Sequence, residues 1–363
     1  MNKNSSLKKT MALSLLMGAS AVQAGPVLKV DDTKWISIGA GLRTSFSSVE
    51  NDAPNGSDRS KDFAVDSMRL YVNGQVHKDI KFTFNTEKDS SNDDTARVLD
   101  AIARFEFSDT FNVWMGRFLP PSDRSNLSGP YYLSAWSFPM VQKYPAIFAG
   151  RDDGVAVWGH AMRGKLKYQG GAFQGRQGGS NTSDSLLFAG RLTLNLWDAE
   201  PGYYNSSTYY GAKDVLALGL VAMTQKDGAG TAVTKGDFTG WSVDALMEKK
   251  LSGGGVVNLE GAYYDYDLGN VADTSLVQGD GYFVLAAYLL PQKMGMGQLQ
   301  PHLRYQSFDS AGAGDADTRA ELGVNYIIDG HDARATLTFA NDDPGAPGVN
   351  SFNSISFGLQ FQI

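Results

Sequence analysis

The sequence predicts an all-β fold, a transmembrane antiparallel β-barrel of about 16 strands. The first observation behind this prediction is the pattern of the final segment, where apolar residues occupy every second position: Ile355, Phe357, Leu359, Phe361 and Ile363. Successive side chains of a strand point to opposite faces, so this segment is apolar on one side and polar on the other. We therefore expect the apolar face to meet lipid and the polar face to meet an interior.

Segments with strand character recur along the whole chain. Most reach the roughly 9–11 residues that a tilted spanning strand needs, and an even number of them suits a closed antiparallel barrel. The predicted strands are 35–46, 62–76, 80–87, 97–107, 111–117, 153–160, 165–174, 185–195, 213–224, 237–249, 255–266, 280–290, 298–308, 318–328, 331–340 and 351–363.

The second observation is that the connections alternate between long and short. Long connections such as 47–61 and 225–236 occur on one side, and short ones such as 77–79 on the other. Long outer loops and short periplasmic turns are typical of bacterial outer-membrane barrels. One connection breaks the rule, because 196–212 is long where a short turn is due.

The N-terminus has the pattern of an export signal. Lys3, Lys8 and Lys9 precede an apolar run from Met11 to Val22, and small residues follow at the expected cleavage position. We expect residues 1–24 to be removed as a signal peptide and residues 25–363 to form a single barrel domain in the bacterial outer membrane. The alternative is a retained anchor, but the apolar run is shorter than the roughly 20 residues that span a bilayer.

Composition argues against several classes of function. Asp and Glu number 39 against 32 Lys and Arg, a net charge of −7, whereas nucleic-acid binding favours a basic surface. No metal-ligand spacing, nucleophile elbow or phosphate loop occurs, so we expect no catalytic residue, no metal and no cofactor. A barrel enzyme with a Ser–His pair is the remaining enzymatic alternative, and His302 is its only clear luminal imidazole.

The alternation also predicts the direction of each charge within the barrel. A charged side chain on the lipid face at mid-depth costs about 2–4 kcal/mol, so strand arginines should face the lumen. In one interpretation they pair with luminal carboxylates across neighbouring strands. In the other they remain unpaired and guide anions, and only Lys81 stands out as a clear luminal lysine. The arginines predicted to face the lumen are Arg43, Arg69, Arg104, Arg117, Arg191, Arg304, Arg319 and Arg334.

The longest connection, 118–152, is the strongest candidate for a functional element. A loop of about 35 residues without a strand pattern is uncommon in a compact fold and usually has a function. Its aromatic side chains predict that it folds back into the barrel and narrows the channel. Arg124, Lys143 and Arg151 would line this constriction, with Arg117 just before it. The alternative is an outer lid that packs on a neighbouring subunit.

Two motifs that flank this loop resemble the phosphate-selective porin O/P family. They are Gly116-Arg-Phe-Leu-Pro-Pro-Ser and Gly150-Arg-Asp-Asp-Gly-Val-Ala-Val-Trp-Gly. The resemblance implies a sixteen-stranded trimeric porin whose third outer loop enters the pore and whose arginines and lysines guide anions. Arg117 and Arg151 stand in the matching motifs, while Arg124 and Lys143 lie in the corresponding loop.

The sequence and the resemblance together predict a water-filled outer-membrane channel for small solutes, above all anions such as phosphate. Expected partners are outer-membrane lipid, lipopolysaccharide, small anionic solutes and two further copies of the chain in a homotrimer. A pore for neutral solutes such as sugars is the alternative within transport, because sugars slide along aromatic faces. A structural or adhesive barrel with a plugged lumen is a third possibility.

Overall fold

The computed structural model describes residues 25–90, 95–145, 149–273, 275–312 and 314–363. The predicted signal peptide, residues 1–24, lies outside the described residues. Among the residues described, no helix has the length and apolar character needed to cross a bilayer.

Sixteen antiparallel strands form a closed barrel, as predicted. Each strand pairs with its neighbours in sequence, and the last strand pairs with the first, so the sheet has no free edge. The strands are β1 Trp35–Val49, β2 Asp62–His77, β3 Ile80–Lys88, β4 Arg97–Glu106, β5 Asn112–Phe118, β6 Asp152–Ala161, β7 Leu166–Phe173, β8 Leu187–Asn195, β9 Val215–Gly230, β10 Lys235–Lys250, β11 Val256–Asp267, β12 Gly279–Leu289, β13 Gly297–Ser310, β14 Asp317–Asp329, β15 Ala333–Asp343 and β16 Phe352–Gln362.

A few short elements lie outside these strands. Val27–Lys29 pairs with the start of β1, and Lys293–Met294 pairs with the start of β13. One short helix, α1 Arg124–Ser128, lies in the connection between β5 and β6, and a 3-10 turn, Met162–Gly164, joins β6 to β7.

Burial alternates along the strands, and this separates an outward face from an inward one. In β16, Ile355, Phe357 and Phe361 are exposed, whereas Gln360 and Gln362 are buried. The predicted orientation of this strand is therefore observed. Its ladder with β1 runs from Gly41 to Val49. The start of β1 instead pairs with Val27–Lys29, and the stagger of a barrel shifts the closing register.

One long connection predicted from the sequence is shorter in the structure. The region 225–236 lacks apolar alternation, but the ladder between β9 and β10 continues through Ala229 and Gly230 after a register shift at Gln225. Only residues 231–234 connect the two strands. The two strands pair through their backbones here although their side chains do not alternate. The sequence pattern therefore ends before the hairpin does.

The outward face gives a direct stability prediction. Leu337 lies in the middle of β15 with 53% of its surface exposed, whereas Phe63 lies near an end of β2. We expect Leu337→Arg to lower the free energy of unfolding in lipid vesicles by about 2–4 kcal/mol, and Phe63→Arg by about 0–1 kcal/mol, because the cost of a charge depends on depth. Urea titration measures both, and equal losses would contradict the assigned orientation.

The interior of the barrel is packed. Trp114 and Phe118 of β5 and Trp158 of β6 contact Tyr203 from the connection between β8 and β9. Leu127 of α1 belongs to the same buried cluster. Connecting segments therefore enter the space that the strands enclose.

Candidate functional site: the barrel interior

Seven of the predicted pore-wall arginines lie on the inward face. Six are buried, and Arg319 is half-buried beside the inward carboxylate of Glu321. The six buried arginines are Arg43, Arg69, Arg104, Arg191, Arg304 and Arg334.

Five of these seven arginines pair with carboxylates. The Arg69 guanidinium donates to both oxygens of Glu87 at 2.8 and 3.1 Å, across the ladder between β2 and β3. In the other pairs, Arg104 contacts Glu106, Arg191 contacts Asp244, Arg304 contacts Glu321, and Arg319 contacts both Glu321 and Asp342. These five arginines follow the first interpretation, in which luminal arginines pair with carboxylates.

Arg43 and Arg334 differ from the other wall arginines. Within the described part of the chain, neither has a carboxylate oxygen within 4.0 Å. Arg43 Nη2 donates to the Trp136 carbonyl, and Arg334 Nη1 donates to the Leu133 carbonyl at 2.7 Å. Their other buried nitrogens, Arg43 Nε and Arg334 Nε and Nη2, have no hydrogen-bond partner. Two buried cations thus remain, among the described residues, without a carboxylate in direct contact.

The two arginines lie close together in the wall. Gln360 of β16 stands between them, opposite Arg43 in one ladder and opposite Arg334 in the other. The Trp136 ring covers both guanidinium groups, with its centroid 3.9 Å from Arg43 Cζ and 5.7 Å from Arg334 Cζ. We call Arg43, Arg334, Gln360 and Trp136 the arginine pair site.

The connection 119–151 contacts inward-facing side chains from several parts of the wall. Asn325 donates to the Ser134 carbonyl at 2.8 Å, and Arg304 donates to the Ser137 carbonyl at 2.8 Å. On another side, the Tyr264 hydroxyl donates to Asp123 at 2.9 Å. Asp123 also caps α1 by accepting from the Ser125 and Asn126 amides. The wall arginines therefore hold this connection by its carbonyl oxygens.

The four residues predicted at the constriction do not form one cluster. Arg124 is 1% exposed and makes two hydrogen bonds to Glu200, at 2.6 and 2.7 Å. Arg151 is buried and donates to Asp100 at 3.1 Å. Among the residues described, the Lys143 ammonium has no carboxylate within 4.0 Å, and it lies 5.1 Å from the centroid of the Phe308 ring.

Arg117 points away from the interior, which corrects its prediction as a luminal and constriction residue. Trp114 occupies the inward face of β5, so Arg117 shares the outward face with Met115, which is 62% exposed. Its guanidinium pairs with Asp153 of β6 at 2.7 and 2.9 Å. The alternation counted from the inward-facing Trp114 sets the direction of Arg117.

Lys167 is a luminal cation that the sequence interpretation missed when it counted Lys81 alone. It is 1% exposed on the inward face of β7, and its ammonium has no hydrogen-bond partner. Leu166 and Tyr168 flank it, so period-two alternation was the signal that could have found it.

A small cavity remains between the wall and the inserted segments. It measures about 60 Å³, room for about four water molecules. Arg69, Asn85, Asp100 and Arg151 line one part of it, and three tyrosines line another beside leucine and small residues: Tyr71, Tyr132 and Tyr204.

Comparison with known proteins agrees with this architecture. Residues 36–202 match the family model described as phosphate-selective porin O and P. This match confirms the family resemblance. No curated protein matches the chain.

Solved structures of outer-membrane proteins share the fold at low sequence identity. A high-pH structure of Pseudomonas putida OprB is 12% identical with a TM-score of 0.66, over 90% of this chain and 94% of that one. An anion-selective porin from Comamonas acidovorans is 13% identical with a TM-score of 0.62, over 91% and 100%. OmpT of Vibrio cholerae in a trimer form is 14% identical with a TM-score of 0.56, over 92% and 100%.

The matching family model and the fold together are those of a channel in the bacterial outer membrane, and they point to a channel rather than an enzyme.

Proposed function

We propose that this porin-like barrel forms a water-filled channel for small solutes and prefers anions such as phosphate. The observation that carries the proposal is the arginine pair site, where Arg43 and Arg334 are buried without a carboxylate within 4.0 Å among the described residues. A buried charge is costly without a partner. The charge of the two arginines lowers the electrostatic cost for an anion that passes near them, because it acts across a low-dielectric neck.

Two lysines add positive charge that favours anions in the same way. Lys143 on the connection 119–151 and Lys167 on β7 also lack a carboxylate within 4.0 Å in the described part of the chain. Arg124 and Arg151 are paired, so their role in this proposal is to position the connection rather than to attract solutes. The connection itself acts as the constriction.

The proposal includes the surroundings of the channel. Export removes residues 1–24, and residues 25–363 form one barrel domain whose outward face meets outer-membrane lipid and lipopolysaccharide. The trimer form of the similar Vibrio cholerae protein supports a homotrimer here. The acidic net charge of the exported chain is consistent with anion preference, because acidic side chains further than about 8 Å from the neck are screened at physiological salt.

The second candidate function is passage of small neutral solutes such as sugars. It is favoured by the aromatic lining of the cavity, where Tyr71, Tyr132 and Tyr204 present ring surfaces. A neutral-solute channel would show weak ion selectivity, whereas the arginine pair site predicts anion preference.

The experiment compares reversal potentials of two double variants across a KCl gradient in planar bilayers. In Arg43→Gln with Arg334→Gln, both positive charges are lost while a polar side chain remains at each position. We expect the ratio of chloride to potassium permeability to fall by about threefold or more, because an uncompensated charge in a low-dielectric neck acts strongly on a passing ion.

The matched control removes two charges from outside the lumen, through Arg117→Gln with Arg163→Gln. Arg117 faces outward, and Arg163 is exposed in the 3-10 turn. The control should keep the wild-type permeability ratio. An equal change in both double variants, or no change in either, would contradict the assignment of selectivity to the arginine pair site.

A further inference from the structure

The connection 196–214 enters the barrel from the end opposite the connection 119–151. In a sequential antiparallel barrel, connections after odd-numbered strands lie at one end and connections after even-numbered strands at the other. The connection 119–151 follows β5, and the connection 196–214 follows β8. An ordinary turn between strands lies on the surface. Here the segment is buried at Glu200, Tyr203, Asn205, Ser206, Ser207 and Thr208, each at most 2% exposed.

Luminal side chains of the wall bind this segment through its backbone. The Glu248 carboxylate of β10 accepts hydrogen bonds from the Tyr209 amide at 2.9 Å and the Gly211 amide at 2.8 Å. It also accepts one from the Thr208 hydroxyl at 2.7 Å. Tyr203 stacks on Trp114 with 4.6 Å between ring centroids. Side chains of the wall therefore hold the segment in its inserted position.

The segment also contacts the connection 119–151 directly. The Ser207 amide donates to the Tyr132 carbonyl at 3.1 Å, and the Tyr203 hydroxyl donates to the Leu119 carbonyl at 2.9 Å. Glu260 of β11 accepts from both segments, through the Ser207 hydroxyl at 2.9 Å and the Ser125 hydroxyl at 3.0 Å. The two connections meet inside the barrel and form one contiguous obstruction.

Where the two connections meet, each contributes one charged side chain: Arg124 from the connection 119–151 and Glu200 from the connection 196–214. Arg124 donates to both oxygens of Glu200 and to the Ser206 carbonyl at 2.8 Å. Arg124 and Glu200 are each 1% exposed at the side chain, so solvent screens their interaction little. Glu200 thus cancels the charge of an arginine that would otherwise act on passing ions.

We propose that residues 199–211 form a second constriction element and that Glu200 in it determines ion selectivity by neutralising Arg124. The inference rests on the proposed channel function. The two connections together set the width of the path, and Glu200 offsets the charge of Arg124 where they meet. The anion preference of the channel is therefore weaker than its arginine content implies.

Two variants test the two parts of this inference in planar bilayers. Glu200→Gln keeps the size of the side chain and removes its charge, and it should raise the ratio of chloride to potassium permeability by about threefold or more. Asp214→Asn is the matched control, because Asp214 belongs to the same connection but lies exposed in a pair with Lys249. The control should leave the ratio unchanged.

In the second variant, a Gly–Ser turn replaces residues 199–211. The Asp198 amide already donates to the Asp214 carbonyl at 3.0 Å, so a short turn spans the gap. Single-channel conductance in KCl should rise at least about twofold, because conductance grows with the open cross-section. A heat-modifiability assay confirms that each variant forms a closed barrel.

The outcomes separate this inference from the proposed function. If the wild type conducts and folded variants match it in both conductance and selectivity, the inference is wrong while the channel function stands. If the wild type is closed and the shortened variant conducts, the segment is the obstruction. If neither conducts although both are folded, residues 199–211 are not the obstruction, and the inference fails together with the channel function.

Discussion

Replacing the connection 119–151 by a short turn should raise single-channel conductance by at least about twofold, because this segment packs against inward-facing side chains of the wall and narrows the proposed path. Its carbonyl oxygens accept hydrogen bonds from Arg43, Arg304 and Arg334, which face the lumen from three separate strands. Without the segment, these guanidinium groups meet water, and the path between them widens. Conductance in KCl measures the change in the folded variant.

The control for this prediction is a matched shortening of the connection 50–61, between β1 and β2. That connection lies at the same end of the barrel, and most of its residues are exposed. It should leave conductance close to the wild-type value. Unchanged conductance after removal of the connection 119–151 would contradict its role as the constriction.

Asp244→Asn should lower the free energy of unfolding by about 3–5 kcal/mol, because it leaves a buried guanidinium without its carboxylate. Asp244 accepts hydrogen bonds from both terminal nitrogens of Arg191 and from the Arg124 backbone amide. Both side chains of the Arg191–Asp244 pair are at most 2% exposed. Urea titration of the protein in lipid vesicles measures the loss.

The exposed pair between Arg117 and Asp153 is the control for Asp244→Asn. Its side chains are 29% and 36% exposed, so solvent screens the interaction. Asp153→Asn should lower the free energy of unfolding by less than about 1 kcal/mol. Similar losses for the two variants would mean that the buried pair does not hold the inserted segments to the wall.

The sequence predicts the barrel well because one physical rule governs its strands. Lipid on one side and polar groups on the other impose a period of two, and this pattern is visible without any knowledge of tertiary contacts. It located all sixteen strands and oriented Gln360 in the closing strand. The hairpin at 225–236 escaped because Ala229 and Gly230 pair with Gly236 and Lys235 only after a register shift that interrupts the alternation.

The interior was harder to predict because it depends on which groups meet across the barrel. Parity placed Arg43 and Arg334 inward, but their lack of a carboxylate partner depends on the register of three strands. Alternation predicted Arg117 to face inward, but Trp114 takes the inward face of β5 and leaves Arg117 on the outward one. The unusual length of 196–212 was noticed in the sequence, yet Glu200 and Arg124 are far apart in the chain and only the fold brings them together.

The reversal potential of the wild-type protein across a KCl gradient tests the central claim most directly. With Arg43, Arg334 and Lys143 free of carboxylates within 4.0 Å among the described residues, we expect chloride to permeate more readily than potassium, and added phosphate to reduce the chloride current as it competes for the same path. A channel that conducts potassium in preference to chloride, or one that shows no ion preference and is unaffected by phosphate, would contradict the account.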